Sequence, residues 1–195
     1  FKAQDYSNKV ISTLIAENLD PGRVLSRAAR DFDGGFAMAG LIGHGDAFLL
    51  RDPAGIRPAF YFQNDEVVVA ASERPALQTA LNVKYTDIKE VKPGHALIIK
   101  RNGKVSEQAI LDPLPRSACS FERIYFSRGT DKDIYQERKN LGKFITPAVL
   151  KAVDHDIERT VFSYIPNTAE TSFLGMVEGV NNYLSSYRKE QIASG

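Results

Sequence analysis

One thiol, three imidazoles and a knot of arginine and aspartate are the side chains that could do chemistry here. Cys119 is the sole cysteine. No internal disulfide can form. The imidazoles are His44 in "GHGD", His95 beside Gly94, and His155 in the acidic "DHD". No pair has the spacing that sets two zinc ligands on one helix face. In "RDPAGIRP", residues 51–58, Asp52 can accept from backbone two residues on, Pro53 presets φ for a turn, and Gly55 tolerates the exit geometry. Turn chemistry does not account for Arg51 and Arg57. "RNGKVSE" reads as a solvated turn and not a phosphate loop, and Asn167 or Thr168 in "YIPNTAET" can cap the helix that follows.

The elements that must position these residues change character along the chain. Ser7 is a candidate cap for a helix carrying Val10, Leu14 and Ile15. Asp20-Pro21-Gly22 breaks it, and Val24, Leu25, Ala28, Ala29 and Phe32 form the stripe of a second helix. Short apolar runs then flank His44-Gly45-Asp46 as a hairpin, "AFYF" and "EVVVAAS" follow as strands, and "SERPALQTALN" is a short helix with Ser72 as candidate cap. Asn102-Gly103 is a two-residue turn signal for a second hairpin, in "GHALIIKRNGKVSEQAIL". The proline-punctuated "DPLPRSACS" is the candidate linker.

Beyond it, Ile134, Arg138, Leu141, Phe144 and Ile145 recur at helical spacing, with Pro147 expected to kink or divide the helix. "TVFSYIP" reads as a continuous apolar strand of the parallel-sheet type, then a loop and a helix. The sum is an α+β chain of two parts, antiparallel strands with flanking helices followed by a strand-loop-helix of α/β character.

At 195 residues the chain can bury a real core without disulfides or metals. Its 25 basic and 24 acidic residues leave a formal charge of +1, which gives no footprint for nucleic acid or an anionic membrane. Single-cysteine usage and the lack of a secretory or spanning apolar run point to a reducing, cytoplasmic setting. The chain opens on Phe1 instead of Met and closes in mid-pattern at "QIASG", so a piece of a longer protein is expected.

Four stretches, in this order, resemble the amidophosphoribosyltransferase family: "GHGDAFLLRDPAGIRP", "VVVAASERPAL", "VKPGHALII" and "CSFERIYFSRGTDKDIYQERKNLG". "YIPNTAET" follows at the matching distance, so the resemblance covers about residues 35–175. It implies the later part of a class II glutaminase domain at 1–127, a partial αββα sandwich of the N-terminal-nucleophile type. The beginning of a phosphoribosyltransferase domain would follow at 128–195. The implied activity of the whole protein is glutamine hydrolysis and transfer of the ammonia to phosphoribosyl diphosphate, giving phosphoribosylamine in the first step of purine synthesis.

Glutamine and phosphoribosyl diphosphate are the implied partners, with Mg2+ accompanying the diphosphate and a homo-oligomeric assembly. Arg51, Asp52 and Arg57 then belong to a structural turn, in which Asp52 and Arg57 are expected to pair while a guanidinium satisfies loose carbonyls. Cys119 stands where cluster-bearing members of the family place one [4Fe–4S] ligand, and members without a cluster also keep a cysteine there. A small buried hydrophobe is the plainer reading of this thiol. Asn167 and Thr168 match a loop at the diphosphate end of the family's second site. Two positions depart from the family pattern, Ala59 where Leu is usual and Arg123 where an aromatic is usual.

The class II mechanism needs a cysteine at the mature N-terminus, with its own α-amine as base. Phe1 supplies no nucleophile and Cys119 is internal. Nor does any acidic pair followed by a Thr- and Gly-rich phosphate loop occur in residues 128–195. The chain by itself is therefore expected to be inactive, with no catalytic residue and no cofactor of its own. A different class II amidotransferase conflicts with "FERIYFSRG" and "YIPNTAET"; a non-catalytic binding or scaffold relative stays open. With five or six strands expected and no N-terminal strands to cover them, self-association is expected, unless the helices of residues 7–32 fold back over the exposed face.

Overall fold

A computed structural model describes residues 5–194 and divides the chain into two compact units, one ending at Cys119 and the other beginning at Ser120. Phe1 and the closing Gly195 lie outside the described residues.

In the first unit, Ser7 caps α1 (Asn8–Asn18), its hydroxyl accepting from the Val10 amide. Asp20 caps α2 (Pro21–Ala28) by accepting from the Gly22 amide at 3.0 Å, so the Asp-Pro-Gly that ends one helix also begins the next. Seven strands follow: β1 (Ala37–Leu41), β2 (Ala47–Arg51), β3 (Phe60–Gln63), β4 (Val68–Ala71), β5 (Lys89–Glu90), β6 (His95–Ile99) and β7 (Val105–Ala109). They form two antiparallel sheets, ordered β1-β2-β6-β7 and β4-β3-β5. Helix α3 (Arg74–Leu81) is preceded by Glu73, not Ser72, at its cap position, and no side-chain cap bond forms there.

Period-two alternation on β2 and β6 builds the layers. Leu50, Ala96 and Ile98 face α2, where Leu25 and Ala29 meet them. Leu49 and Leu97, directly opposite in register, face the second sheet with Ala59, Tyr61 and Val91. On the other side of that sheet Arg74, from α3, stacks on Phe60 at 4.7 Å. The result is a helix-sheet-sheet-helix stack. Helix α2 thus covers the sheet face expected to stand bare, whereas α1 buries none of its residues and leaves Val10 and Ile15 exposed. The β6–β7 connection is a three-residue loop, not a two-residue one. Lys100 and Lys104 close it, and Gly103 alone takes positive φ.

In the second unit, residues 122–126 form one π-helical turn before α4 (Lys132–Ala152), and α5 (Glu170–Ser194) follows. Pro147 neither ends nor divides α4. The buried positions of α4 are Ile134, Arg138, Gly142, Thr146 and Leu150, four residues apart. This corrects the expected stripe, because Leu141, Phe144 and Ile145 point outward, Phe144 being 80% exposed. Small residues win the inner face because α5 lies against it nearly backbone to backbone.

Contacts run in the same order along both helices, Gly142 to Ser172 and Met176, Thr146 to Gly179, His155 to Tyr183. The helices are therefore parallel, and residues 153–169 return between their ends. The strand expected in "TVFSYIP" does not form. No other strand exists among the described residues of this unit, so its amides and carbonyls have no ladder to join. Val161 and Ile165 are 92% and 86% exposed.

Candidate functional site

The polar centre of the first unit is the "RDPAGIRP" turn, residues 51–58, which follows β2. Asp52 is fully buried and satisfied by backbone alone. Its Oδ1 accepts from the amides of Ala54 and Ile56 at 3.1 and 2.8 Å, and its Oδ2 from the Arg57 amide at 3.0 Å. The expected Asp52–Arg57 pairing is thus made to the Arg57 main chain.

The guanidinium that stitches loose carbonyls belongs to Arg51, only 2% exposed. Its Nε donates to Arg57 O at 2.8 Å, Nη1 to Val91 O at 2.6 Å, and Nη2 to Gly55 O at 3.3 Å. Glu90 supplies the counter-charge, 2.8 Å from Arg51 Nη1. Gly55 holds φ +62° with Pro93 and Arg51 crowding the place a side chain would take. A fully satisfied buried network of this kind fixes backbone and offers no free group to a substrate. Sequence reasoning missed Glu90, because a lone acidic residue in "IKEVKPG" carries no local signal of a partner nearly forty positions earlier.

At the opposite end of the same strand pair, Asp46 accepts from Lys100 Nζ at 2.9 Å and the Arg101 amide at 2.8 Å, and lies 3.1 Å from His44 Nε2. His44 is thereby a turn residue tied to its neighbour. The Lys100 and Arg101 bonds hold the Asp46 carboxyl down at about 2, from 3.8. Folded Asp46 therefore binds fewer protons than unfolded Asp46, so its stabilisation is complete above pH 3.8 and is lost as pH falls through 2. Asp46→Asn should flatten the acid loss of stability between about pH 4 and 2, by about 1 kcal/mol once solvent screening at the turn is allowed for. Urea unfolding of both proteins across that range checks this; parallel curves would refute it.

In the second unit the buried cation is Arg138, which donates to Arg123 O at 3.1 Å and Ser127 O at 2.7 Å. Burial lowers its pKa. Arg123 itself pairs with Glu137, its Nε donating to Oε2 at 2.7 Å. These bonds tie "FERIYFSR" to α4, within the compact unit that begins at Ser120. Asn167 is exposed and Thr168 half-buried ahead of α5. The Asn167 carbonyl, not either side chain, accepts from the Glu170 amide. His95 Nδ1 lies 2.9 Å from Pro93 O, and His155 packs on Tyr183. Cys119 is half-buried, its amide donating to Ile56 O at 3.3 Å. Among the described residues no three His, Cys, Asp or Glu side chains gather as a metal site. Cys119 supplies one of the four thiolates that a [4Fe–4S] cluster normally takes.

No protein-family model matches the chain. Curated relatives do. Amidophosphoribosyltransferase of Bacillus subtilis is 34% identical over 131 residues, 65% of this chain and 25% of the relative. The Escherichia coli protein of the same name is 31% identical over 141 residues, 68% of this chain and 27% of the relative. That of Lachancea kluyveri is 29% identical over 176 residues, 84% of this chain and 34% of the relative.

Among solved structures, glutamine phosphoribosylpyrophosphate amidotransferase from B. subtilis, complexed with ADP and GMP, superposes with a TM-score of 0.64 at 21% identity. The match covers 92% of this chain and 40% of that one, and bears on fold alone. The chain spans about a quarter to a third of the length of these curated relatives. With the ordered motifs, the buried "RDPAGIRP" turn and these relatives together, the chain belongs to the amidophosphoribosyltransferase family.

Proposed function

We propose that this chain is the segment of an amidophosphoribosyltransferase that joins the later glutaminase strands to the start of the transferase domain. The whole enzyme hydrolyses glutamine and passes the ammonia to phosphoribosyl diphosphate, giving phosphoribosylamine. The carrying observation is the L. kluyveri match of 176 residues, longer than either compact unit and therefore running through both. The glutaminase half is assigned to residues 1–127 and the transferase half to 128–195. In this reading the segment contributes scaffold: Arg51 and Asp52 hold the turn, and catalysis belongs to residues outside this sequence. Mg2+ accompanies the diphosphate, and Asn167 and Thr168, placed ahead of α5, are the residues of this chain assigned to the diphosphate end.

The 195-residue chain should release no glutamate from glutamine, because its one thiol is internal and has no α-amine beside it as base. Glutamate release abolished by Cys119→Ser would overturn this. In the whole enzyme, Thr168→Ala should raise the Michaelis constant for phosphoribosyl diphosphate several-fold and leave that for glutamine unchanged; the reverse pattern would remove Thr168 from the site.

Assembly into homo-oligomers is part of the same proposal. Leu41 on edge strand β1, Phe144 on α4 and Val161 beyond it leave apolar surface bare. Light scattering of the chain at micromolar concentration should give a mass above the 21.6 kDa monomer. A sharp monomer peak would count against it.

A further inference from the structure

The segment leaving the first unit is anchored in an unusual way. From Asp112 to Ala118 every residue is exposed, so no apolar burial holds it down. Pro113 and Pro115 remove two donors and bar a regular ladder. What remains is a thin backbone zipper along the "RDPAGIRP" turn. Leu114 N donates to Pro53 O at 2.8 Å, Ser117 N to Ala54 O at 2.9 Å, and Cys119 N to Ile56 O at 3.3 Å. Among the described residues, Arg116 is the single side chain of the segment with a polar partner. Its Nη2 lies 3.2 Å from Glu90 Oε1, the oxygen that also takes Arg51 Nη1 at 2.8 Å. Glu90 is one-third exposed and Arg116 more than half, whereas Arg51 is sealed.

We propose that residues 112–119 form a releasable strap, zipped to the Asp52 turn and clamped by the Arg51–Glu90–Arg116 relay. The clamp fixes where the chain leaves the first unit, and opening it frees the strap without unfolding the sheets beneath. The physical basis is a gradient of stability. The turn is over-determined by buried bonds, while the strap has three backbone bonds and one solvent-facing ion pair, and segments so poorly anchored open locally. This inference is independent of the reaction assigned above. It rests only on the geometry of the turn and its neighbour.

Hydrogen exchange on the full chain tests it, comparing the unaltered protein with Arg116→Ala at low and at 1 M salt. An exposed ion pair of this kind should slow exchange about two- to fivefold. Arg116→Ala should therefore speed exchange at the amides of Leu114, Ser117 and Cys119 by that factor, leaving β2 and β6 unchanged. High salt should bring the unaltered protein toward the variant and leave the variant where it is. Glu90→Gln also takes the counter-charge from buried Arg51, so it should speed exchange at the strap at least as much as Arg116→Ala and reach into the turn as well. Unchanged exchange in both variants would overturn the clamp. Acceleration spread evenly through β2 and β6 in Arg116→Ala, or acceleration at its strap amides with no response to salt in the unaltered protein, would overturn it equally.

Discussion

Gly142→Ala and Gly175→Ala should each destabilise the second unit by about 2 kcal/mol, against the usual direction of a glycine-to-alanine change in a helix. On a free helix that change gains about 1 kcal/mol. Here the added methyl has nowhere to go. At Gly142 it would overlap the Ser172 carbonyl oxygen and lie 2.7 Å from both Ser172 C and Met176 N. At Gly175 it would overlap the Lys139 carbonyl, 2.7 Å from its carbon. All these atoms are main chain, so relief requires the helices to separate, and overpacking costs about 1–3 kcal/mol or more.

Gly179→Ala is the internal comparison. The atoms nearest its methyl all belong to the Thr146 side chain, which can turn away after giving up its 2.9 Å bond to Gly142 O. Urea unfolding followed by circular dichroism should rank Gly142 and Gly175 together, with Gly179 well below. A stabilising Gly142→Ala would show that α4 and α5 do not approach so closely. The ion pairs of Lys139 and Lys143 with Glu178 lie along the same seam, but exposed pairs contribute too little to mask the effect.

The same helix pair shows why its packing could not be read from residue types. Leu141, Phe144 and Ile145 make a convincing apolar stripe, and periodicity favours it over Gly142 and Thr146. The choice is reversed by a neighbour that begins almost thirty residues later, because a parallel helix at backbone contact excludes large side chains. The missing strand in "TVFSYIP" has a related cause. Its residues have strand composition, but a strand is a property of a pair, and this unit presents no partner among its described residues.

Hairpins and turns were legible for the opposite reason. Ser7, Asp20 and Gly103 act within a few residues of themselves, where sequence and geometry coincide. The family motifs led to the right turn, yet not to which arginine works inside it. Both flank Asp52, and only the position of Val91 and Glu90 across the sheet makes Arg51 the buried one.

Asp52→Ala should then be the most damaging single change in the first unit, costing about 4 kcal/mol. It strands three amides, those of Ala54, Ile56 and Arg57, which now end on a fully buried carboxylate. A buried donor left without its acceptor costs about 1–3 kcal/mol, and three on one turn do not add fully because the loop can partly reopen to water. Asp52→Asn should fall between. Its amide oxygen can keep the Ala54 and Ile56 bonds, but its NH2 then faces the Arg57 N–H donor to donor.

At about 4–8 °C per kcal/mol for a unit of this size, the alanine variant should melt roughly 15 °C or more below the parent. The strap is hydrogen-bonded to Pro53, Ala54 and Ile56, so it should lose protection together with the turn. In the whole enzyme, protein that remains folded should keep its Michaelis constants, because Asp52 is sealed behind its own loop. An unchanged melting point with a raised Michaelis constant for glutamine would move Asp52 from the scaffold into the substrate site.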